Sequence, residues 1–283
     1  MHYNNQVRKF PFLHLVLFVL TLLSTLFVGA LQTGADIMKE PGKIYKGIPF
    51  SLTLMIILLS HELSHYFTSR KHGVKATLPY FIPAPTIIGT FGAFIKMKSP
   101  IITRKALIDI GASGPIAGFI ISVIAAVIGL GISEVVSVAQ TKGALHLGDS
   151  LLFSFLSRVI LGVTSSDHDI LLHPVAFAGW IGLFVTAINL IPIGQLDGGH
   201  IAYALLGDKH VRLSFSLIIV MVLLGLFLWE GWLVWAILLL ILGLRHPPVV
   251  TWESSLDSQR KCIGWFAFVI FILTFIPVPF KIL

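Results

Sequence analysis

The chain has 283 residues, of which 56% are hydrophobic and only 12% are charged, and its mean hydropathy is +0.92. That balance excludes an ordinary soluble domain and a disordered chain, and it sets the lipid bilayer as the surrounding medium. The net charge of +7 is scattered over loops rather than gathered on one face, so it is not the footprint of a nucleic-acid partner.

Apolar runs predict membrane spans near 10–31, 50–69, 106–132, 174–193, 211–229, 232–244 and 263–278. The sixth run is short and follows the fifth after only Glu230-Gly231. A tilted span and a re-entrant hairpin are both open there, so the expected fold is an all-α polytopic membrane protein with six or seven transmembrane helices. The basic residues suggest an orientation. Lys39, Lys43, Lys46, Lys142, Arg158 and Lys281 fall on one side, and the other fourteen of the 20 lysines and arginines fall on the opposite side. By the positive-inside rule the N-terminus is cytoplasmic.

The first run, preceded by Arg8 and Lys9, exceeds the apolar length of a secretion signal and reads as a retained helix. The second carries Leu58-Leu-Ser-His61-Glu62-Leu-Ser-His65-Tyr66, an H-E-x-x-H motif inside an apolar stretch. On a helix, residues four apart share a face, so His61 and His65 can bind one metal together. Glu62 beside them can take a proton from an attacking water. Ionisable groups at membrane depth are costly and rarely idle. The pattern points to a metal-dependent hydrolase working inside a bilayer.

Between the second and third runs, Pro79, Pro83 and Pro85 exclude a helix. Gly89-Thr-Phe-Gly-Ala-Phe-Ile-Lys-Met-Lys98 interleaves glycines with β-branched and aromatic residues, which predicts a short re-entrant β-hairpin or sheet on the cytoplasmic side; an ordinary surface loop is the competing reading. Gly114 and Gly118 open the third span as G-x-x-x-G, which permits close helix approach.

The stretch from 133 to 173 is too short for an ordinary globular domain and predicts an amphipathic helix over 150–160. Asp167-His168-Asp169 with His173 matches no strong metal template and reads as a polar turn. The lone Cys262 allows no intrachain disulfide and is expected to pack.

The fourth span ends Asn189-Leu-Ile-Pro192-Ile-Gly-Gln195-Leu-Asp197-Gly198-Gly199-His200. A catalytic zinc takes three protein ligands and leaves a position open. Asp197, freed by Pro192 and the glycines, can supply the third. A helix-capping aspartate is the competing reading; beside H-E-x-x-H at the same depth, the ligand reading leads. His200 reads as a structural donor or an early helix residue.

Together these motifs resemble the site-2 protease family of intramembrane zinc metalloproteases. The resemblance rests on His61-Glu62-Leu-Ser-His65, Gly114-Pro115-Ile-Ala-Gly118 and Asn189-Leu-Ile-Pro192 through Leu196-Asp197-Gly198-Gly199, and covers roughly 50–206. It implies a three-helix catalytic core, one Zn²⁺ per chain on His61, His65 and Asp197, Glu62 as catalytic base, and cleavage of single-span transmembrane proteins near the cytosolic face. It places Asn189 near the substrate backbone or the developing oxyanion, a helix-packing amide being the alternative.

A locally unwound substrate needs partners for its freed amides. The strand around Gly92 and Phe94 is the candidate to supply them by β-addition. Many relatives carry an outer PDZ domain or a nucleotide-binding module after the last span. Neither is expected here, which leaves selection to the membrane gate alone or to a separate regulatory membrane protein.

The expected organisation is 1–49 as first helix and outer loop, 50–206 as catalytic core, and 207–283 as C-terminal helices and substrate gate. The expected setting is a prokaryotic cell membrane. A metal or ion transporter is the first rival, disfavoured by a single polar cluster and no evident inverted repeat. A catalytically silent relative that binds membrane proteins is the second, disfavoured by the intact Glu62.

Overall fold

Helix starts and stops follow the local chemistry of the chain. The computed structural model describes residues 11–137, 145–162, 168–252 and 255–282. Helix α1 (Phe12–Gln32) leads through a 3-10 turn (Pro41–Gly47) into α2 (Ile48–Lys71). Arg70 and Lys71 occupy the last turn of α2, where cations complement the helix dipole. Strands β1 (Tyr80–Pro83) and β2 (Thr90–Phe94) follow, then the 28-residue α3 (Arg104–Gly131), whose N-cap Thr103 accepts from the Ala106 amide.

The next segment holds β3 (Glu134–Ser137), β4 (Leu145–Leu147), α4 (Leu151–Leu161) and β5 (His168–Leu171). Then come α5 (Pro174–Asn189), α6 (Asp197–Leu206), α7 (Lys209–Phe227), α8 (Gly231–Leu242), α9 (Ser258–Thr274) and β6 (Phe280–Ile282). The strands form three antiparallel pairs, β1–β2, β3–β5 and β4–β6.

The chain is mostly helical, with small two-stranded sheets beside the helices, and β2 falls within the glycine-rich segment 89–98 and pairs with β1 just before it. Among the described residues, four helices are long and apolar enough to cross a membrane: Phe12–Gln32, Pro41–Lys71, Arg104–Gly131 and Lys209–Phe227. α5 and α8 are apolar but shorter, at 16 and 12 residues. The apolar run to 193 is not all helix, because Pro192 has no N–H to continue it and Gly194 turns at φ +56°. The run to 244 likewise stops at Gly243, at φ +98°.

The predicted amphipathic helix appears as α4, with Ser150 capping it through the Phe153 amide at 3.1 Å. The β3–β5 and β4–β6 pairs are not foreseen from the sequence, because each joins short strands far apart in the chain. Cys262 is exposed on α9 rather than packed. Asp167 lies outside the described residues. Asp169 sits 3.4 Å from His146, and His173 caps α5 by accepting from the Val175 amide.

The main core joins α2, α3 and α5 through Phe50, Leu54, Leu58, Leu130, Trp180 and Leu183. α3 and α5 approach closely because glycine lines the seam. A Cβ on Gly129 would meet the Ala176 backbone, and one on Gly179 would meet the Ala126 backbone.

The hairpin rests against α1. The His14 ring donates to the Pro79 carbonyl at 3.2 Å, Ser24 donates to the Ala84 carbonyl at 3.3 Å, and Gln32 donates to the Ile87 carbonyl at 3.0 Å. Pairing continues beyond the strands, from Thr77 N–H to the Lys96 carbonyl and from Lys98 N–H to the Lys75 carbonyl.

Candidate metal centre

α2 runs unbroken through the motif, so His61 and His65 lie one turn apart on the same face. That face meets α3 at its glycines. A Cβ at Gly114 would overlap the His65 imidazole, and one at Gly118 would come within 3.1 Å of His61 Nδ1. The G-x-x-x-G of α3 is therefore the space in which the two imidazoles stand.

His65 Nδ1 is 2.8 Å from the Ile110 carbonyl. A carbonyl can only accept, so the ring carries its proton on Nδ1 and presents a lone pair at Nε2. A backbone acceptor fixing a histidine's tautomer and ring angle is the usual support of a metal ligand.

Asp197 reaches the same point from the far side. It opens α6 but makes no side-chain cap, and Leu196 holds the N-cap position. The capping alternative thus fails on geometry. Asp197 Oδ2 lies 3.2 Å from His65 Nε2 and 3.3 Å from His61 Nε2, and the two Nε2 atoms are 3.1 Å apart.

All three side chains are largely buried. Lone pairs on His65 Nε2 and on a carboxylate repel unless a cation lies between them. A tetrahedral zinc about 2.0–2.1 Å from each ligand would set them about 3.3 Å apart, the spacing found here. The donor set of two imidazoles and one carboxylate also matches a catalytic zinc site with an open position. The residues fit the ion, and no other such cluster occurs among the described residues.

Glu62 is buried beside the cluster, its Oε1 4.0 Å from His61 Nε2, too far to share the ligand triangle and close enough to serve it. The backbone amide of Ile95, just past β2, faces the Glu62 carboxyl. Asn189 ends α5, and its Nδ2 is 3.5 Å from His61 Nε2.

Gly92 and Phe94 are not gathered into the cluster. Gly92 turns at φ +98° with open space around it. Phe94 is half exposed and stacks on Tyr80 at 5.4 Å. The strand approaches the centre through Ile95 instead.

Two neighbours of the site elements escape sequence reasoning. The Ile110 carbonyl is a backbone atom and leaves no side-chain trace. His246, which meets His200 at 2.6 Å, lies 46 residues from it in an irregular segment.

Fold and site together define a mostly helical protein with four candidate membrane spans, three buried side chains placed to hold one metal ion, and an adjacent carboxylate. The sequence pattern of peptidase family M50 matches residues 49–229. The chain is 35% identical over 240 residues to the probable zinc metalloprotease EGY1, chloroplastic, of Arabidopsis thaliana, covering 82% of this chain and 43% of that protein. It is 31% identical over 274 residues to EGY2 of the same plant, covering 93% and 48%. It is 27% identical over 257 residues to EGY3 of Oryza sativa subsp. japonica, covering 81% and 42%. The chain spans less than half the length of these relatives. It belongs to peptidase family M50, the site-2 protease family of zinc metalloproteases. The relatives' names place them in chloroplasts and lend no support to a prokaryotic membrane as the setting.

Proposed function

We propose that this protein is a zinc endopeptidase that cuts single-span transmembrane substrates near the cytosolic face of the membrane. The observation that carries the reading is the convergence of His61, His65 and Asp197 donor atoms to 3.1–3.3 Å, with Glu62 alongside. Zinc, when bound, polarises a peptide carbonyl and makes water acidic enough to attack near neutral pH. Glu62 accepts the proton of the attacking water and returns it to the leaving amine. His65 keeps its donor nitrogen aimed at the centre because Ile110 holds the other nitrogen. Asn189 supplies an amide donor to the developing oxyanion from the end of α5.

A transmembrane helix must unwind before it is cut, because its backbone groups are paired within it. The β1–β2 hairpin, backed by α1, supports strand addition at β2, with Gly92 and Phe94 on the added edge and Ile95 leading to Glu62. The excess of basic residues on one side supports an N-terminus inside, with 72–104 cytoplasmic. Maleimide labelling of Lys75→Cys, in a Cys262→Ser background, should succeed only after the membrane is opened. Labelling in intact cells reverses the orientation.

Glu62→Gln decides the activity. Glutamine preserves side-chain shape and leaves all three ligands, but it cannot act as base, so turnover should fall by about 10²–10⁴-fold. Zinc content should be unchanged, and uncut substrate should be retained. The measurement is the size of co-expressed single-span substrates on a gel. Identical fragments from wild type and Glu62→Gln across a broad set would end the protease reading. Retained ion flux in Glu62→Gln would favour a transporter.

A further inference from the structure

Helix α6 has ten residues, and its first, Asp197, is spent on the metal centre rather than on a cap. A helix this short has little rigidity of its own, so the aim of Asp197 depends on what grips α6 from outside. One side of α6 packs on α3 and α9, where Ile201 meets Ala112 and Ala267 and Tyr203 meets Leu107, and the segment 243–252 after α8 adds a second grip. The Gly243 carbonyl sits where a Cβ on Gly194 would go, and Leu244 is buried against Ile191 and Ile193. His246 then reaches α6 itself. Its Nε2 is 2.6 Å from His200 Nδ1, and its ring stacks on Tyr203 at 4.4 Å and 15°.

The protons of this pair are determined. His246 Nδ1 is 2.6 Å from the Pro247 carbonyl, which can only accept, so Nδ1 carries the proton. Burial, with His200 beside it, pushes His246 down to about 3, so the ring is neutral and its Nε2 holds a lone pair. His200 therefore donates from Nδ1 into that lone pair.

Asp197, His200 and Tyr203 follow one another at i, i+3 spacing, so their side chains lie along one side of α6. A fixed His200 sets the rotation of the helix and with it the direction of the Asp197 carboxylate. Two further anchors hold the far end of α6. Arg104 donates twice to the Ala204 carbonyl, at 2.9 and 2.7 Å, and its guanidinium lies 4.2 Å over Trp252, which in turn edges Tyr203 at 5.5 Å.

We propose that His246 is a positioning residue for the metal centre, holding His200 so that α6 presents Asp197 to the His61–His65 pair. The proposal rests on the metallopeptidase reading above. Arg104 and Trp252 keep α6 docked when His246 is changed, so substitution acts on aim rather than on folding.

The test uses the full chain purified in detergent. His246→Phe keeps the stack on Tyr203 and removes the acceptor. Its zinc affinity, measured by chelator competition, should fall by about 10–100-fold, the usual effect of losing a group that orients a ligand. The drop should appear in kcat with KM unchanged, and the unfolding temperature of the zinc-free protein should stay at the wild-type value. His246→Gln, whose amide oxygen is an acceptor, should recover most of the affinity. Histidine ¹⁵N spectra should report neutral Nδ1–H tautomers for His200 and His246, with the His200 signal altered in His246→Phe.

Unchanged zinc affinity in His246→Phe overturns the proposal. So does a loss that merely tracks a lower unfolding temperature, or an Nε2–H tautomer at His246. A wild type that takes up no zinc sinks the metallopeptidase reading and this proposal with it, whereas zinc uptake with an indifferent His246 sinks the proposal alone.

Discussion

The α2–α3 contact and the α7–α8 pair are both apolar helix packings, but they are specified to different depths. At α2–α3, glycines on one helix face imidazoles on the other. Gly114 has no room for a Cβ against His65, and Gly118 has almost none against His61. At α7–α8 the inward side is ordinary, with Met221, Trp232, Ala236 and Leu239 packed on Ile191 and Ile193. The outward side carries Leu226, Phe227, Ile237 and Ile241, with exposures from 58% to 79%. Lipid accepts any apolar shape there, whereas the metal centre accepts only one arrangement of atoms. The contrast teaches that a missing methyl serves helix approach alone at α7–α8, where Gly225 meets Leu233, whereas at α2–α3 it also makes room for the imidazoles of the site.

The comparison breaks most visibly at Gly114. Gly114→Ala should displace the His65 ring and lower zinc affinity by about 100-fold or more, at the upper end of what a misoriented ligand costs. Metal content after dialysis against a chelator measures it. Near-normal zinc retention would mean that α3 can slide away from α2. Next in size, Ile95→Pro removes the amide that faces Glu62, and Phe94→Pro breaks the strand before it. Cleavage of a single-span substrate should fall by about 10- to 100-fold, as displacement of reacting groups by an ångström does, with zinc content unchanged. Full turnover in both variants reduces the segment to a loop.

Gly118→Ala meets a single ring nitrogen at 3.1 Å, and a loss of about tenfold in zinc affinity is expected. It should be separable from Gly114→Ala by chelator titration. The smallest effect on the centre belongs to the matched glycine of the other region. A Cβ on Gly225 would overlap the Leu233 side chain and come within 2.9 Å of the Leu233 backbone nitrogen. Gly225→Ala should cost about 1–3 kcal/mol of stability, as overpacking does, and leave zinc affinity and cleavage alone. A zinc defect in Gly225→Ala would show that the two regions are coupled after all.

Much of the centre is legible in the chain. His61, Glu62 and His65 form a local motif whose geometry follows from helical periodicity, so reading it needs no tertiary information. The hairpin is legible too, because prolines exclude a helix and glycines alternate with aromatic residues over 89–98. Less legible is the helix count by length, because Pro192, Gly194 and Gly243 end helices inside runs that hydropathy averages over. Also less legible is which point of the hairpin lies nearest Glu62, since alternation tells which residues form a strand but not that Ile95, rather than Gly92 or Phe94, approaches the carboxyl.

The sequence by itself determined that this chain lives in a membrane, that one of its helices carries a paired-histidine metal motif, and that a lone aspartate after a broken helix is available as a partner. These are properties of composition and of neighbours within a turn, set by local sterics and by the cost of burying charge. Only the tertiary structure decided between a capping and a converging Asp197, because that residue meets His65 across 132 positions of chain. It alone made the α3 glycines a pocket for imidazoles, made Ile110 an acceptor, and brought His246 to His200. Those relations are distances between segments, and nothing in the local preferences of either segment encodes the separation at which packing will hold them.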